Sequence, residues 1–159
     1  MKKNNIVKLI FLITIFLIAI DQMTKFVIQY KYSNNIIGSS IIKIELINND
    51  GIAFGLNSGN TKNIILTVFI LGLIFRFIKT QKDKIDFKTA IAISLILSGG
   101  ISNLLDRIFK GAVVDFIKIE KFAIFNIADC YIVVGWMLMI IFLIIFNKNL
   151  AEVKHCKKE

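Results

Sequence analysis

The sequence predicts an all-α membrane protein: four transmembrane helices in a single domain, residues 1–159, carrying a small extracytoplasmic β-cradle at about 36–58. Three observations lead there. The chain is 56% hydrophobic, above the roughly 45–50% usual in soluble domains, and its mean hydropathy is +0.72. Four apolar runs, at about 6–28, 63–79, 88–109 and 125–147, each approach the ~20 residues that a helix needs to cross a ~30 Å hydrocarbon core. The lysines and arginines behind the net charge of +9 sit at the ends of those runs. Such placement writes membrane topology, and without aromatics interleaved on a soluble face it excludes a nucleic-acid partner.

The first run opens behind Lys2, Lys3 and Lys8, much as a secretory signal peptide does. No small-x-small cleavage site follows cleanly, and the run continues through Phe26, Val27 and Ile28, so an uncleaved first span is expected. Near its far end Asp21 and Lys25 stand four apart, on one helical face where they can pair. That pair reads either as a membrane-edge anchor or as part of a site. Next, Ile42-Lys43-Ile44-Glu45-Leu46 alternates apolar and charged residues with period two, the mark of a half-buried strand. Asn49-Asp50-Gly51 supplies turn chemistry for a tight hairpin, after which 52–55 returns apolar, as an interfacial segment would.

The second span ends in Arg76 and Lys79, with Lys82, Lys84 and Lys88 following, a basic loop that marks the cytoplasmic side. The third is unusual in its second half. Gly99, Gly100 and Ser102 permit close helix contacts, and Asn103, Asp106 and Arg107 fall at i, i+3 and i+4 on one face. Charged groups in a span cost on the order of 2.5–3.5 kcal/mol each, so this face must meet protein or a polar cavity. The fourth span begins with Asn126 and Asp129, is otherwise apolar with Trp136 well inside, and ends in a lysine-bearing tail.

With both termini cytoplasmic, twelve of the twenty cations lie inside, while seven of the eleven acids lie outside. The polar chemistry therefore gathers at one membrane face. Cys130 and Cys156 fall on opposite sides and cannot pair, and His155 beside Cys156 falls short of a zinc pattern. No proline, internal repeat or linker divides the chain.

The chain is organised around residues 111–130, which put Asp115 on a strand-like run and Asp129 at the head of the last helix, joined by a short connection. Two carboxylates in a low-dielectric site share a proton, since burial and repulsion raise one pKa. Such a pair can hydrolyse an amide with water, one carboxylate taking a proton as the other donates. Serine and cysteine hydrolase readings fail, because no histidine lies within a span. Asn126 resembles an N-cap with Asp129 at the third helical position, a capping box. Asp129 could therefore be only a cap, or, with the helix dipole favouring its charge, the ionised base opposite a protonated Asp115.

The ordered set D-Q-M-T-K, N-D-G-I-A-F, G-G-I-S-N-L-L-D-R, V-V-D-F and F-N-I-A-D resembles the lipoprotein signal peptidase family, signal peptidase II, from Asp21 to Asp129. The resemblance implies a bacterial plasma-membrane aspartic endopeptidase with its active site toward the outer leaflet and the lipid chains of its substrate left in the bilayer. It would remove the signal peptide from diacylglyceryl-modified prolipoproteins just before the lipidated cysteine, without cofactor or metal and subject to inhibition by globomycin. Asp115 and Asp129 match the family's catalytic aspartates. Asn49, Asn103, Arg107 and Asn126 match polar residues around its site, with Asp21 and Lys25 supporting, and segment 40–54 resembles its cradle over the substrate. Ser102, Ala123 and Gly55 depart from the usual glycine, proline and serine, and none removes a reacting group. The competing expectations are a small ion- or proton-coupled membrane carrier, since intramembrane charges also mark ion paths, and a non-catalytic lipid-binding scaffold.

Overall fold

The computed structural model describes residues 3–32, 36–51 and 59–156. In chain order it runs α1 (Lys3–Tyr32), β1 (Ile37–Gly38), β2 (Ile42–Asn49), α2 (Asn60–Gln81), α3 (Phe87–Phe109), β3 (Val113–Ile119), β4 (Ala123–Phe125) and α4 (Ile127–Cys156). All four helices contain stretches long and apolar enough to cross a membrane. The fold is thus mostly helical, with one small antiparallel sheet at one end of the helices.

α3 is the central helix: 61% of its most apolar window is buried within the protein, against 22% or less for the other three. Residues such as Phe11, Phe16, Phe69 and Ile144 turn outward from the outer helices, where lipid satisfies them. Since lipid gives little hydrophobic drive to helix association, close packing must supply it. The sequence provides it at Gly99, where an added Cβ would collide with the Ala128 carbonyl and Ile132 of α4. Gly135 on α4 does the same against Ala92 and Ile96. Gly100, by contrast, only faces Leu71 of α2, 3.2 Å from where a Cβ would stand. Toward the other end Ile6, Ile10, Leu71, Ile78, Ile93 and Leu97 form the apolar core of α1, α2 and α3.

The helix ends follow local chemistry. The Asp86 side chain accepts the Thr89 N–H at 2.8 Å and caps α3, a bond that holds its carboxyl below the ordinary value. α3 stops at Phe109, with Gly111 at φ 80° turning the chain back, as a left-handed residue just past a helix does. The apolar run read from 125 opens as helix at Ile127, because Phe125 closes β4 and Asn126 is the cap.

The sheet has the order β1-β2-β3-β4, antiparallel throughout. The alternation at 42–46 does form a strand, but β2's long partner is β3, some 70 residues on, rather than a strand after Gly51. Residues 52–58, which include the apolar return and Gly55, lie outside the described residues. In β2 and β3, Ile44 faces Ile117, yet Ile47 faces Asp115, so the register slips by one at residues 45 and 46. Side chains alternate faces, and without that slip Asn49 would stand on the sheet face away from Asp115. The pairs Lys43–Glu120 (3.0 Å) and Lys118–Glu45 (2.6 Å) occupy that other face. β3 and β4 are joined by a tight turn in which Phe122 N–H reaches the Ile119 carbonyl at 3.0 Å and Lys121 takes φ 59°.

Candidate active site

The two acids meet where the sheet lies against the head of α4. Asp115, 2% exposed, accepts the Asn126 side-chain amide on Oδ1 at 2.7 Å and that of Asn49 on Oδ2 at 2.8 Å. Asp129 accepts the Asn103 amide on Oδ1 at 2.8 Å and the Asn126 backbone N–H on Oδ2 at 3.1 Å. Asn126 Oδ1 in turn accepts the Asp129 N–H at 2.9 Å, which completes a reciprocal capping box. The single residue Asn126 therefore holds both carboxylates, one by its side chain and one by its backbone. Capping and acid pairing are the same arrangement seen from two sides.

Beneath this pair lies a buried ionic cluster. Lys25 Nζ, wholly buried, contacts Asp21 Oδ2 at 2.7 Å, Asp106 Oδ2 at 2.8 Å and Asn103 Oδ1 at 3.0 Å, which satisfies all three of its N–H bonds. Asn103 Oδ1 also accepts from Asn126 Nδ2 at 3.1 Å. With its oxygen facing the ammonium, Asn103 must turn its NH2 toward Asp129. Asp21 Oδ1 accepts the Ala128 N–H at 2.9 Å, so α1 supplies a cap for α4. Asp106 Oδ1 accepts Lys110 at 2.8 Å and Gln22 at 3.2 Å, while its Oδ2 also takes the Val114 N–H at 3.4 Å. The cluster thereby joins α1, α3, β3 and α4.

Asp21 and Lys25, read either as a membrane-edge anchor or as part of a site, are both fully buried within the protein, beside Asp106 of α3 and the Ala128 N–H of α4. Arg107 lies beside the acids, near enough to feel the charges of Asp129 and Asp115. Its Nη2 donates to the Gly51 carbonyl at 3.4 Å, and its Nε is buried without a partner among the described residues. Every residue singled out in the sequence, Asn49, Asn103, Arg107, Asn126, Asp21 and Lys25 with the two acids, thus comes to one end of the bundle. Gln22 and Ser102 were missed as bonding groups. The Ser102 hydroxyl donates to Asp21 Oδ2 at 2.7 Å and accepts from Gln22 Nε2 at 2.9 Å, bonds that the usual glycine at this position could not make. Gln22 lies three before Lys25 on the same helical face, the one signal that pointed to it.

Burial pushes the Asp115 carboxyl up to about 6; the charge of Asp129 adds to that rise, and the amides of Asn49 and Asn126 oppose it. Among the described residues no group of three or more histidine, cysteine or acidic side chains is arranged to hold a metal ion. Cys130 is free and exposed.

Fold and site together define a multi-pass membrane protein that buries an acid pair, braced by amides and a lysine, at one end of its helix bundle. The family model for signal peptidase (SPase) II matches residues 13–145, and the chain belongs to that family. The lipoprotein signal peptidase of Fusobacterium nucleatum is 40% identical over 149 residues, 88% of each chain. That of Staphylococcus aureus strain JH9 is 36% identical over 168 aligned positions, covering 97% of this chain and all of the relative. A bacterial membrane enzyme solved by the in meso method at 2.3 Å superposes with a TM-score of 0.76 at 33% identity, covering 90% of this chain and 92% of the other. A second, at 1.9 Å, gives 0.75 at 33% identity, with 86% and 93% covered. The chain is accordingly a signal peptidase II enzyme, a protease of lipoprotein processing, and the carrier reading is not favoured.

Proposed function

We propose that the enzyme is an aspartic endopeptidase in which Asp115 and Asp129 activate water against the peptide bond just before the lipidated cysteine of a diacylglyceryl-modified prolipoprotein. The observation that carries this is the grip of Asn126 on both carboxylates, with Asp115 raised to about 6. Up to about pH 6 Asp115 keeps its proton, and the pair then holds one proton between its two members. Asp129, at the head of α4 where the helix dipole favours negative charge, is the base, and Asp115 is the acid.

In the first step Asp129 takes a proton from water, the water oxygen bonds to the scissile carbonyl carbon, and Asp115 gives its proton to the carbonyl oxygen. A neutral gem-diol results. In the second step Asp129 returns its proton to the departing amine nitrogen, the C–N bond breaks, and one diol hydroxyl gives its proton back to Asp115. The products are a carboxylic acid and an amine, and the pair again holds one proton. Arg107, its Nε unpartnered among the described residues and its Nη2 on the Gly51 carbonyl, suits a peptide backbone entering between the cradle and the acids.

The reading puts the enzyme in the plasma membrane, and the charge distribution supports both termini being cytoplasmic and the acid pair lying at the outer leaflet, where lipidated substrate chains stay in the bilayer. Globomycin is the expected inhibitor. The test is cleavage of a purified diacylglyceryl-modified prolipoprotein in detergent. The unmodified enzyme is expected to cleave it, and Asp115→Asn and Asp129→Asn are each expected to lose several orders of magnitude of rate while remaining folded. Turnover retained by either variant removes that residue from the mechanism.

A further inference from the structure

At the other end of the bundle, roughly 25 Å along α1 from Lys25, an open groove of about 580 Å3 lies between the start of α1 and the end of α2. Its walls are Val7, Phe11, Phe75 and Ile78, and its rim is Lys8, Lys79 and Lys82. Phe11 is 63% and Phe75 53% exposed, so the walls open sideways to the hydrocarbon. Among the described residues the three rim lysines form no ion pair, whereas Lys25, Lys43, Lys110 and Lys118 are all paired. Segment 76–88 carries five cations against Asp83 and Asp86, and Asp86 is committed to capping α3.

We propose that this groove binds an anionic phospholipid, its phosphate held by Lys8, Lys79 and Lys82 and one acyl chain lying along Val7, Phe11, Phe75 and Ile78. Basic pockets between membrane helices suit such head groups, and the volume falls within the ~300–1,000 Å3 of ordinary ligand sites. A soluble anion leaves the apolar walls unused. A zwitterionic lipid brings its own cation against three ammonium groups. Each lysine near an anionic headgroup is worth about fivefold in binding, so the three together favour an anionic over a zwitterionic lipid by up to roughly 100-fold.

The test moves the single tryptophan into the groove, in the full-length chain carrying Phe11→Trp and Trp136→Phe, reconstituted in phosphatidylcholine nanodiscs. Quenching is compared between brominated phosphatidylglycerol and brominated phosphatidylcholine at equal low mole fraction. Preference for the anionic lipid is expected to exceed tenfold, to fall toward unity with Lys8→Gln/Lys79→Gln/Lys82→Gln, and to stay within about twofold with the control Lys84→Gln/Lys88→Gln. Millimolar glycerol phosphate is expected to leave the quenching unchanged. Equal quenching by both lipids, an equal loss in the control, or displacement by glycerol phosphate each overturns the assignment.

Discussion

Replacing Lys25 by methionine removes one ammonium group and little volume, and tests whether the buried cluster braces the acid pair. Lys25 fills three contacts at 2.7, 2.8 and 3.0 Å with no exposure to solvent. Its loss strands the Asp21 carboxylate without a cation, while Asp106 keeps Lys110. Breaking a buried pair from one side costs about 3–5 kcal/mol, and at about 2–4 °C per kcal/mol for a chain of this size the melting temperature should fall by roughly 6–20 °C. Asn103 also loses the contact that aims its amide at Asp129, so kcat should drop more than KM rises. Adding Asp21→Asn removes the stranded charge while leaving an oxygen for the Ala128 N–H. The double variant should therefore be more stable than the sum of the single effects by over ~1 kcal/mol. Thermal unfolding in detergent, together with cleavage kinetics, measures both quantities. A Lys25→Met protein that melts with the unmodified enzyme and cleaves as fast would refute the bracing role.

The raised value of Asp115 sets a pH dependence. If Asp115 must carry the proton, kcat/KM, which reports the free enzyme, should fall about tenfold per pH unit above a midpoint near 6. Because the folded state holds that proton more tightly than the unfolded chain, the associated stability is full at low pH and is lost as the pH rises through about 6. In Asp129→Asn the midpoint of the Asp115 carbonyl band, followed by infrared titration, should move down, since the neighbouring charge is gone, yet stay above 3.8 because burial is the larger cause. Lys121→Gly should raise stability by about 1 kcal/mol, as it relieves a left-handed residue; an unchanged or lower melting temperature contradicts that. Gly99→Ala should cost about 1–3 kcal/mol, because its Cβ would meet the Ala128 backbone, which has little room to yield; a neutral melting curve contradicts it.

Much of this was legible because the relevant physics is local. Four apolar runs and their flanking lysines announce membrane helices, and the F-N-I-A-D spacing announces a capping box that the structure contains in both directions. The i, i+4 spacing showed that Asp21 and Lys25 share a face. It could not show what that face meets: α3 covers the pair with Asp106, Ser102 and Asn103. Long-range pairing was the other blind spot. The V-V-D-F-I-K-I run reads as a strand, but nothing nearby in the chain names β2 as its partner. The one-residue slip at 45 and 46, which brings Asn49 to Asp115, leaves no mark in the alternation.

The water step itself is open to direct observation in a single turnover with excess enzyme in oxygen-18 water. Attack by a water that Asp129 deprotonates puts one heavy oxygen into the new carboxyl terminus of the signal peptide and none into the side chains of Asp115 or Asp129. Heavy oxygen in either aspartate, with an unlabelled peptide product, would mean a covalent acyl intermediate and contradict the paired-acid account.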